Sequence, residues 1–145
     1  MSKPDATGGQ EATKDPAHAR LLLAEDDFEL RELLACLLRA DGHEVVEARD
    51  GNELWAFLNH EHETPFSLVV SDVRMPGRNA FEVLTHLQPA LSQTKVILIT
   101  AFGDKTTHLR ALQLGASRVI DKPFDWDELR GAVHDALHQR ASCAS

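Results

Sequence analysis

LVVSDVRMPG, residues 68–77, places a carboxylate at the end of a buried strand. Its first residues form a short apolar run, which is typical of a strand covered on both faces. Asp72 stands where the strand should end, and Met75-Pro76-Gly77 then forces the chain to turn. A charged side chain at the end of an apolar strand has to face either solvent or a polar site.

Strand and helix patterns alternate along the chain around this segment. Apolar runs predict five strands, at residues 20–24, 43–48, 66–72, 95–100 and 117–123. Apolar residues spaced three and four apart predict helices at residues 50–62, 80–91, 104–115 and 125–140, with a further one between Asp27 and Gly42. This alternation with short links indicates right-handed βαβ units, a parallel sheet and helices on both of its faces. The predicted fold is a single α/β domain.

The first helix shows its limits and its apolar face in the sequence. Asp27 is placed to cap its N-terminus, and Gly42 ends it. Leucines recur between them at spacings of three and four and predict one apolar face: Leu30, Leu33, Leu34, Leu37 and Leu38. In the helix at 80–91, Pro89 is expected to cut or kink the last turn.

Length and charge limit the classes of function. The chain has 145 residues, and we expect one domain at 19–142 behind a disordered polar tail at 1–18. The formal net charge is −8 without a stripe of Lys and Arg, which argues against nucleic-acid binding by this domain. The longest apolar runs, 21–24 and 96–99, are far too short to cross a membrane.

The cysteines and histidines show no spacing typical of a disulfide or a metal site. Cys36 and Cys143 are far apart in the sequence, so we expect a reduced, cytoplasmic protein. His134 and His138 lie four residues apart, and a small cluster occupies 60–62, but neither set has a third ligand at a suitable spacing. We interpret both sets as solvated surface.

Polar side chains collect at one edge of the predicted sheet. The carboxyl ends of parallel strands converge on one crevice, where α/β proteins bind ligands. The residues that end or follow four of the strands there are Glu25, Asp26, Asp27, Asp72, Thr100 and Lys122. Taken singly, each has an ordinary structural role, as Asp27 has in capping a helix. Because all of them are expected at one crevice, a ligand-binding or catalytic site is favoured over six separate structural roles.

The chemistry of these residue types points to phosphoryl transfer. Clustered carboxylates repel one another, and a hard divalent cation such as Mg²⁺ relieves the repulsion with oxygen ligands. A lysine opposite them binds a phosphate oxygen as a point charge, and a threonine adds a hydroxyl donor. A carboxylate nucleophile, a Mg²⁺ site and donors for phosphate oxygens are the components of phosphoryl transfer to an aspartate.

These polar groups lie at the strand ends of four segments: LLLAEDD, LVVSDVRMPG, VILITAF and ASRVIDKPF. In order, they resemble the signature segments of the receiver domain of two-component response regulators, over about residues 19–140. The resemblance implies a flavodoxin-like, doubly wound sheet of five parallel strands in the order 2-1-3-4-5. It also implies a switch that a sensor histidine kinase or a phosphotransfer protein phosphorylates, and that then acts on a downstream protein or effector domain.

The resemblance assigns the acidic residues to a Mg²⁺ site. It implies that Asp72 is the phosphoacceptor, that Asp26 binds Mg²⁺ directly and that Glu25 is the second member of the acidic pair. The backbone carbonyl of Arg74 completes the implied site, and Asp27 is left to cap the helix.

The same resemblance supplies donors for the phosphoryl oxygens. Thr100 would turn toward the phosphoryl group, Lys122 would pair with it, and the peptide bond before Pro123 would be cis. The turn at 75–77 would lift the chain so that Asp72 stays open to a phosphodonor.

Val119 departs from the family pattern. A Tyr or Phe usually stands at this position, three residues before the lysine. Without that ring, we expect the structural change caused by phosphorylation to pass through the backbone that follows Thr100. Phe102 and the helix from Asp104 would then move together.

Two other functions share part of this chemistry or this fold. A phosphatase of the haloacid dehalogenase type also uses an Asp nucleophile and Mg²⁺, but it needs a second Asp where Arg74 stands. An adaptor that has lost the chemistry is disfavoured by the presence of Asp26, Asp72, Thr100 and Lys122. The resemblance implies no enzyme activity beyond self-catalysed phosphoryl transfer and slow dephosphorylation, and it leaves a homodimer open.

Overall fold

Five strands and five helices alternate in the part of the chain that a computed structural model describes, residues 19–60, 65–87, 94–101 and 103–138. The strands are β1 (Arg20–Ala24), β2 (Glu44–Ala48), β3 (Leu68–Asp72), β4 (Lys95–Thr100) and β5 (Arg118–Asp121). The helices are α1 (Phe28–Ala40), α2 (Gly51–Asn59), α3 (Ala80–Leu87), α4 (Lys105–Gln113) and α5 (Trp126–His138). None of these described helices combines the length and the apolar character needed to span a membrane.

The sheet is parallel throughout and has the strand order β2-β1-β3-β4-β5. This result confirms the predicted α/β fold and the order that the resemblance implied. Asp72 is in register with Ile99, and Thr100 is in register with Asp121. Because all strands run in the same direction, their carboxyl ends lie along one edge of the sheet.

Alternate side chains of each strand enter two separate cores. On one face, Leu22 and Val69 pack with residues from α2, α3 and α4. On the other face, Leu23 and Val70 pack with residues from α1 and α5. A strand that is covered on both faces needs apolar residues at successive positions, which explains the continuous apolar runs in the sequence.

Helix α1 confirms the predicted cap and corrects part of the predicted apolar face. Asp27 Oδ1 accepts hydrogen bonds from the backbone N–H groups of Glu29 at 3.0 Å and Leu30 at 3.3 Å. Leu33, which the leucine spacing places on the apolar face, is 54% exposed. The residues that α1 buries are Arg31, Leu34, Ala35 and Leu38.

Leu33 borders a groove between α1 and the segment that follows β5. The groove has a volume of about 510 Å³ and is lined by Leu30, Leu33, Leu34, Leu37, Lys122, Pro123, Phe124 and Trp126. The apolar face of α1 is wider than the part of the helix that packs against the sheet. The leucines at its edge therefore line this groove and do not enter the core.

Some predicted boundaries are wrong or fall outside the described residues. β5 ends at Asp121 rather than at residue 123, because Pro123 has no N–H to donate to a neighbouring strand. The Lys122-Pro123 peptide bond is cis, as the resemblance implied. The predicted break at Pro89, most of the cluster at 60–62, the tail at 1–18 and Cys143 lie outside the described residues.

The segment after Asp72 turns and lies against the start of α2. Gly77 takes a φ of +82°, in the left-handed region that glycine adopts readily. The backbone N–H of Gly51 donates to the carbonyl of Pro76 at 3.1 Å. A Cβ atom at Gly51 would lie 1.5 Å from the carbonyl oxygen of Arg78, so the two backbones meet without room for a side chain. These contacts hold the chain in place directly after the strand that carries Asp72.

Candidate functional site

Four polar side chains from different strand ends meet at the carboxyl edge of the sheet. Glu25 follows β1, Asp72 ends β3, Thr100 ends β4 and Lys122 follows β5. Because β1 and β3 are neighbours in the sheet, Glu25 and Asp72 lie side by side. Glu25, Asp72 and Thr100 are buried, and the Lys122 side chain is 24% exposed. The structure therefore places these residues in one crevice, as the sequence predicts.

Glu25, Asp26 and Asp72 form an acidic cluster in this crevice. One carboxylate oxygen of each lies within 4.8 Å of the corresponding atoms of the other two. In the described ranges, no other three His, Cys, Asp or Glu side chains come together in this way. Carboxylate oxygens are hard ligands of the kind that Mg²⁺ prefers, and the exposed Asp26 leaves one side open to water. The donor set fits the ion that the resemblance implies.

Lys122 joins the two buried carboxylates. Its Nζ lies 2.9 Å from Asp72 Oδ2 and 3.3 Å from Glu25 Oε1. Burial alone would lower the pKa of Lys122, but the hydrogen bond and charge of Asp72, followed by those of Glu25, outweigh burial and raise the pKa above its usual value. Lys122 is therefore a fixed positive charge at the point where a phosphoryl group on Asp72 would need one.

Glu25 and Asp26 differ in how much of each carboxylate is already engaged. Glu25 Oε2 accepts a hydrogen bond from the backbone N–H of Asp27 at 3.0 Å, while Oε1 contacts Lys122. Burial raises the pKa of Glu25, and the charge of Asp72 adds to that effect, although the Asp27 N–H and Lys122 oppose it. Within the described part of the chain, the Asp26 carboxylate has no hydrogen-bond or ion-pair partner. Asp26 is therefore the member of the pair that is most available to a cation.

Asp72 is enclosed more tightly than the turn behind it suggested. Its side chain is 9% exposed. Oδ1 accepts a hydrogen bond from the backbone N–H of Arg74 at 3.3 Å, and Oδ2 contacts Lys122. The hydroxyl of Ser71 donates to the Asp72 carbonyl at 2.8 Å, which holds the end of the strand. The carboxylate is thus fixed in orientation, with a narrow opening to solvent.

Thr100 connects the ends of β4 and β5. It is 1% exposed, and its carbonyl accepts a hydrogen bond from the backbone N–H of Lys122 at 2.8 Å. Any movement of Thr100 toward Asp72 is therefore coupled through the backbone to Lys122.

Arg31 is a buried charged residue at this site that was not predicted from the sequence. It is 6% exposed, and its Nη1 donates to the backbone carbonyl of Glu25 at 2.9 Å. Its Nε contacts Glu47 Oε1 at 3.2 Å. Arg31 precedes Leu34 by three residues and Leu38 by seven, so helical spacing alone could have predicted that it lies on the buried face of α1.

Two neighbouring acids at this edge are expected to differ in their effect on metal binding. Asp26→Ala should weaken Mg²⁺ binding by more than about tenfold, because it removes the most available carboxylate. Asp27→Ala should leave Mg²⁺ binding nearly unchanged and cost about 1 kcal/mol of stability, because it removes a helix cap. Titration calorimetry and urea unfolding measure the two effects. A larger loss of Mg²⁺ affinity in Asp27→Ala would show that the assignment is displaced by one residue.

Comparisons with known proteins agree with this geometry. A family model described as the response regulator receiver domain matches residues 21–134. The transcriptional regulatory protein CpxR homolog of Haemophilus influenzae is 36% identical over 124 residues. That match covers 86% of this chain and 52% of the relative, so the chain spans about half the length of the relative.

Solved receiver structures resemble the chain over nearly their whole length. The non-phosphorylated receiver domain of HemR from Leptospira biflexa is 30% identical, with a TM-score of 0.75, and the match covers 83% of this chain and 94% of that one. The response regulator TrrA from Thermotoga maritima, solved in complex with Mg²⁺ and BeF, is 29% identical, with a TM-score of 0.69. This second match covers 81% of this chain and 98% of that one.

Proposed function

The chain belongs to the family of response regulator receiver domains, which are signalling switches of two-component systems, and we propose that its Asp72 accepts a phosphoryl group in a Mg²⁺-dependent reaction. The contacts of Asp72 carry this proposal. Its carboxylate belongs to the acidic cluster with Glu25 and Asp26 and lies 2.9 Å from the Lys122 ammonium. We place the receiver domain at residues 19–142.

Asp72 acts as the nucleophile in this proposal. One carboxylate oxygen forms a bond to the phosphorus atom of the donor, while the bond from phosphorus to the leaving group breaks. The leaving group departs with the electrons of that bond. Lys122 then pairs with a phosphoryl oxygen, and the hydroxyl of Thr100 donates to another, so that both offset the added negative charge.

Four residues would hold Mg²⁺ through the side chains of Glu25, Asp26 and Asp72 and the backbone carbonyl of Arg74. When bound, the ion supplies positive charge against the repulsion between these carboxylates and the phosphoryl oxygens. Lys122 and the Asp27 N–H orient Glu25, while Asp26 is open to solvent. The Mg²⁺ and BeF in the structure of TrrA, a relative at 29% identity, support this assignment.

The partners in the proposal follow from the reaction. The phosphodonor is a sensor histidine kinase or a phosphotransfer protein, and the phosphorylated domain acts on a downstream protein or an effector domain. The CpxR homolog is a transcriptional regulatory protein, of which the matching region is about half. The net charge of −8 makes the chain itself a poor binder of nucleic acid, so the phosphorylation signal would be read by another protein surface.

Acetyl phosphate separates this function from the two alternatives. We expect the chain to gain the mass of one phosphoryl group when Mg²⁺ is present and to show no gain when EDTA is added. A phosphatase would consume the donor without a lasting adduct, and an adaptor without the chemistry would do neither. Intact-mass spectrometry and an assay of donor consumption measure these outcomes. Absence of the adduct in Mg²⁺ would overturn the proposal.

A further inference from the structure

Asp121 lies next to the proposed phosphoryl site, although the proposed reaction does not use it. It is the last residue of β5, in register with Thr100, and it directly precedes Lys122. The backbone N–H of Lys122 also donates to the carbonyl of Thr100 at 2.8 Å. Displacement of either of these two residues is therefore passed to Asp121 through the backbone.

The Asp121 carboxylate contacts both segments that follow β4. Its Oδ1 accepts a hydrogen bond at 2.8 Å from Nε2 of His108, in α4. The backbone of Gly103, between β4 and α4, packs so close to the same oxygen that a Cβ atom there would lie 1.7 Å from it. We refer to the His108–Asp121 pair as the latch, because it joins the end of β5 to the first turns of α4.

Besides the latch, Arg110 of α4 lies over the ring of Phe81 in α3, at 4.9 Å from its centroid, and α4 buries little apolar surface. Of the nine residues of this helix, all of which are described, Ala111 is the one that is buried. Leu109 and Leu112 are each 54% exposed. Val119, where the family usually has a large ring, adds only a small side chain to the core that Ala111 enters. A helix with so little buried apolar surface is held weakly, so a single hydrogen bond has a measurable influence on where it lies.

We propose that the latch holds α4 in its unphosphorylated position and is released when Asp72 is phosphorylated. The inference rests on the proposed function. Lys122 Nζ lies 2.9 Å from Asp72 Oδ2, and in the proposed phosphorylated state it pairs with a phosphoryl oxygen instead, so the Lys122 side chain has to move. Asp121 moves with Lys122, and a hydrogen bond weakens steeply once its distance and angle change. The latch then breaks, and α4 is free to shift.

Beryllofluoride, a mimic of an acyl phosphate, tests the latch when it is titrated in the presence of Mg²⁺. A contact that is made only in the unphosphorylated state opposes the binding of the mimic, so its removal tightens binding. We expect His108→Ala to tighten beryllofluoride binding about twofold to fivefold, the size expected for a partly exposed side-chain hydrogen bond. Asp121→Ala should give a similar change, and the double variant should give no more than either single variant.

Arg130→Ala is the matched control. Arg130 pairs with Asp41 at 2.9 Å, and this contact joins α5 to the C-cap residue that follows α1, so its loss should leave beryllofluoride binding unchanged. Unchanged binding in His108→Ala, weaker binding, or additive effects in the double variant would overturn the latch and leave the proposed function standing. Absence of binding by the wild-type chain would overturn the proposed function and the latch with it.

Discussion

Replacing Asp72 with Asn is expected to abolish phosphoryl incorporation. Asn has nearly the shape of Asp, so it preserves the end of β3, but its neutral amide does not act as a nucleophile toward phosphorus. Asp72 makes the shorter of the two carboxylate contacts with Lys122, at 2.9 Å compared with 3.3 Å for Glu25. Asp72 also lies one strand away from Thr100, the residue at the end of β4 that we propose as the hydroxyl donor. We therefore expect complete loss of incorporation.

Intact-mass spectrometry after incubation with acetyl phosphate and Mg²⁺ measures this loss. Asp27→Asn is the matched control, because Asp27 is an exposed carboxylate at the same edge whose contacts are those of a helix cap. It should retain the full mass gain. A gain of equal size in Asp72→Asn would place the phosphoacceptor on another residue.

Replacing Arg31 with Met is expected to lower the free energy of unfolding by about 3 kcal/mol. Met fills a similar volume, but it leaves the buried carbonyl of Glu25 without the donor that now lies at 2.9 Å. It also removes the ion pair with Glu47 at 3.2 Å. Because Glu47 is partly exposed and keeps a contact with Arg39, the loss should fall near the lower end of the range for a broken buried pair.

Arg39→Met provides the comparison for Arg31→Met. Arg39 contacts the same Glu47 at 3.2 Å and donates to the backbone carbonyl of Val45 at 2.8 Å. Its side chain is 49% exposed, so water can replace these contacts, and removing its charge should cost less than about 1 kcal/mol. Urea unfolding, with the midpoint and the slope fitted together, gives both values. An equal loss of unfolding free energy in the two variants would show that the buried position of Arg31 and its bond to the Glu25 carbonyl add no stability beyond that of the exposed Arg39 contacts.

The strands and helices could be predicted because their signals are local. β4 is buried along almost its whole length, and its residues 96–99 form an uninterrupted apolar run. The order of the strands is a different matter, since an apolar run does not specify its neighbours in the sheet. That order came from the resemblance to receiver domains, and the structure confirms it.

The meeting of Asp72, Thr100 and Lys122 with the acidic pair could also be predicted. Parallel strands present their carboxyl ends at one edge, so residues that end different strands are brought together by the fold itself. The contacts among them could not be predicted in the same way. Lys122 contacts two carboxylates at once, and Asp72 is 9% exposed, because the distances between strand ends depend on how the sheet twists and how the helices cover it.

Patterns in the sequence were enough to predict the element types, the cap at Asp27 and the edge of the sheet on which the polar side chains meet. Three contacts depend instead on how the elements pack: Leu33 faces a groove, Arg31 donates to the carbonyl of Glu25, and His108 contacts Asp121. The period of a helix and the alternation of a strand are properties of a single element, so spacing reveals them. The distance between two elements, and the rotation of each about its own axis, are set by the packing of the whole core.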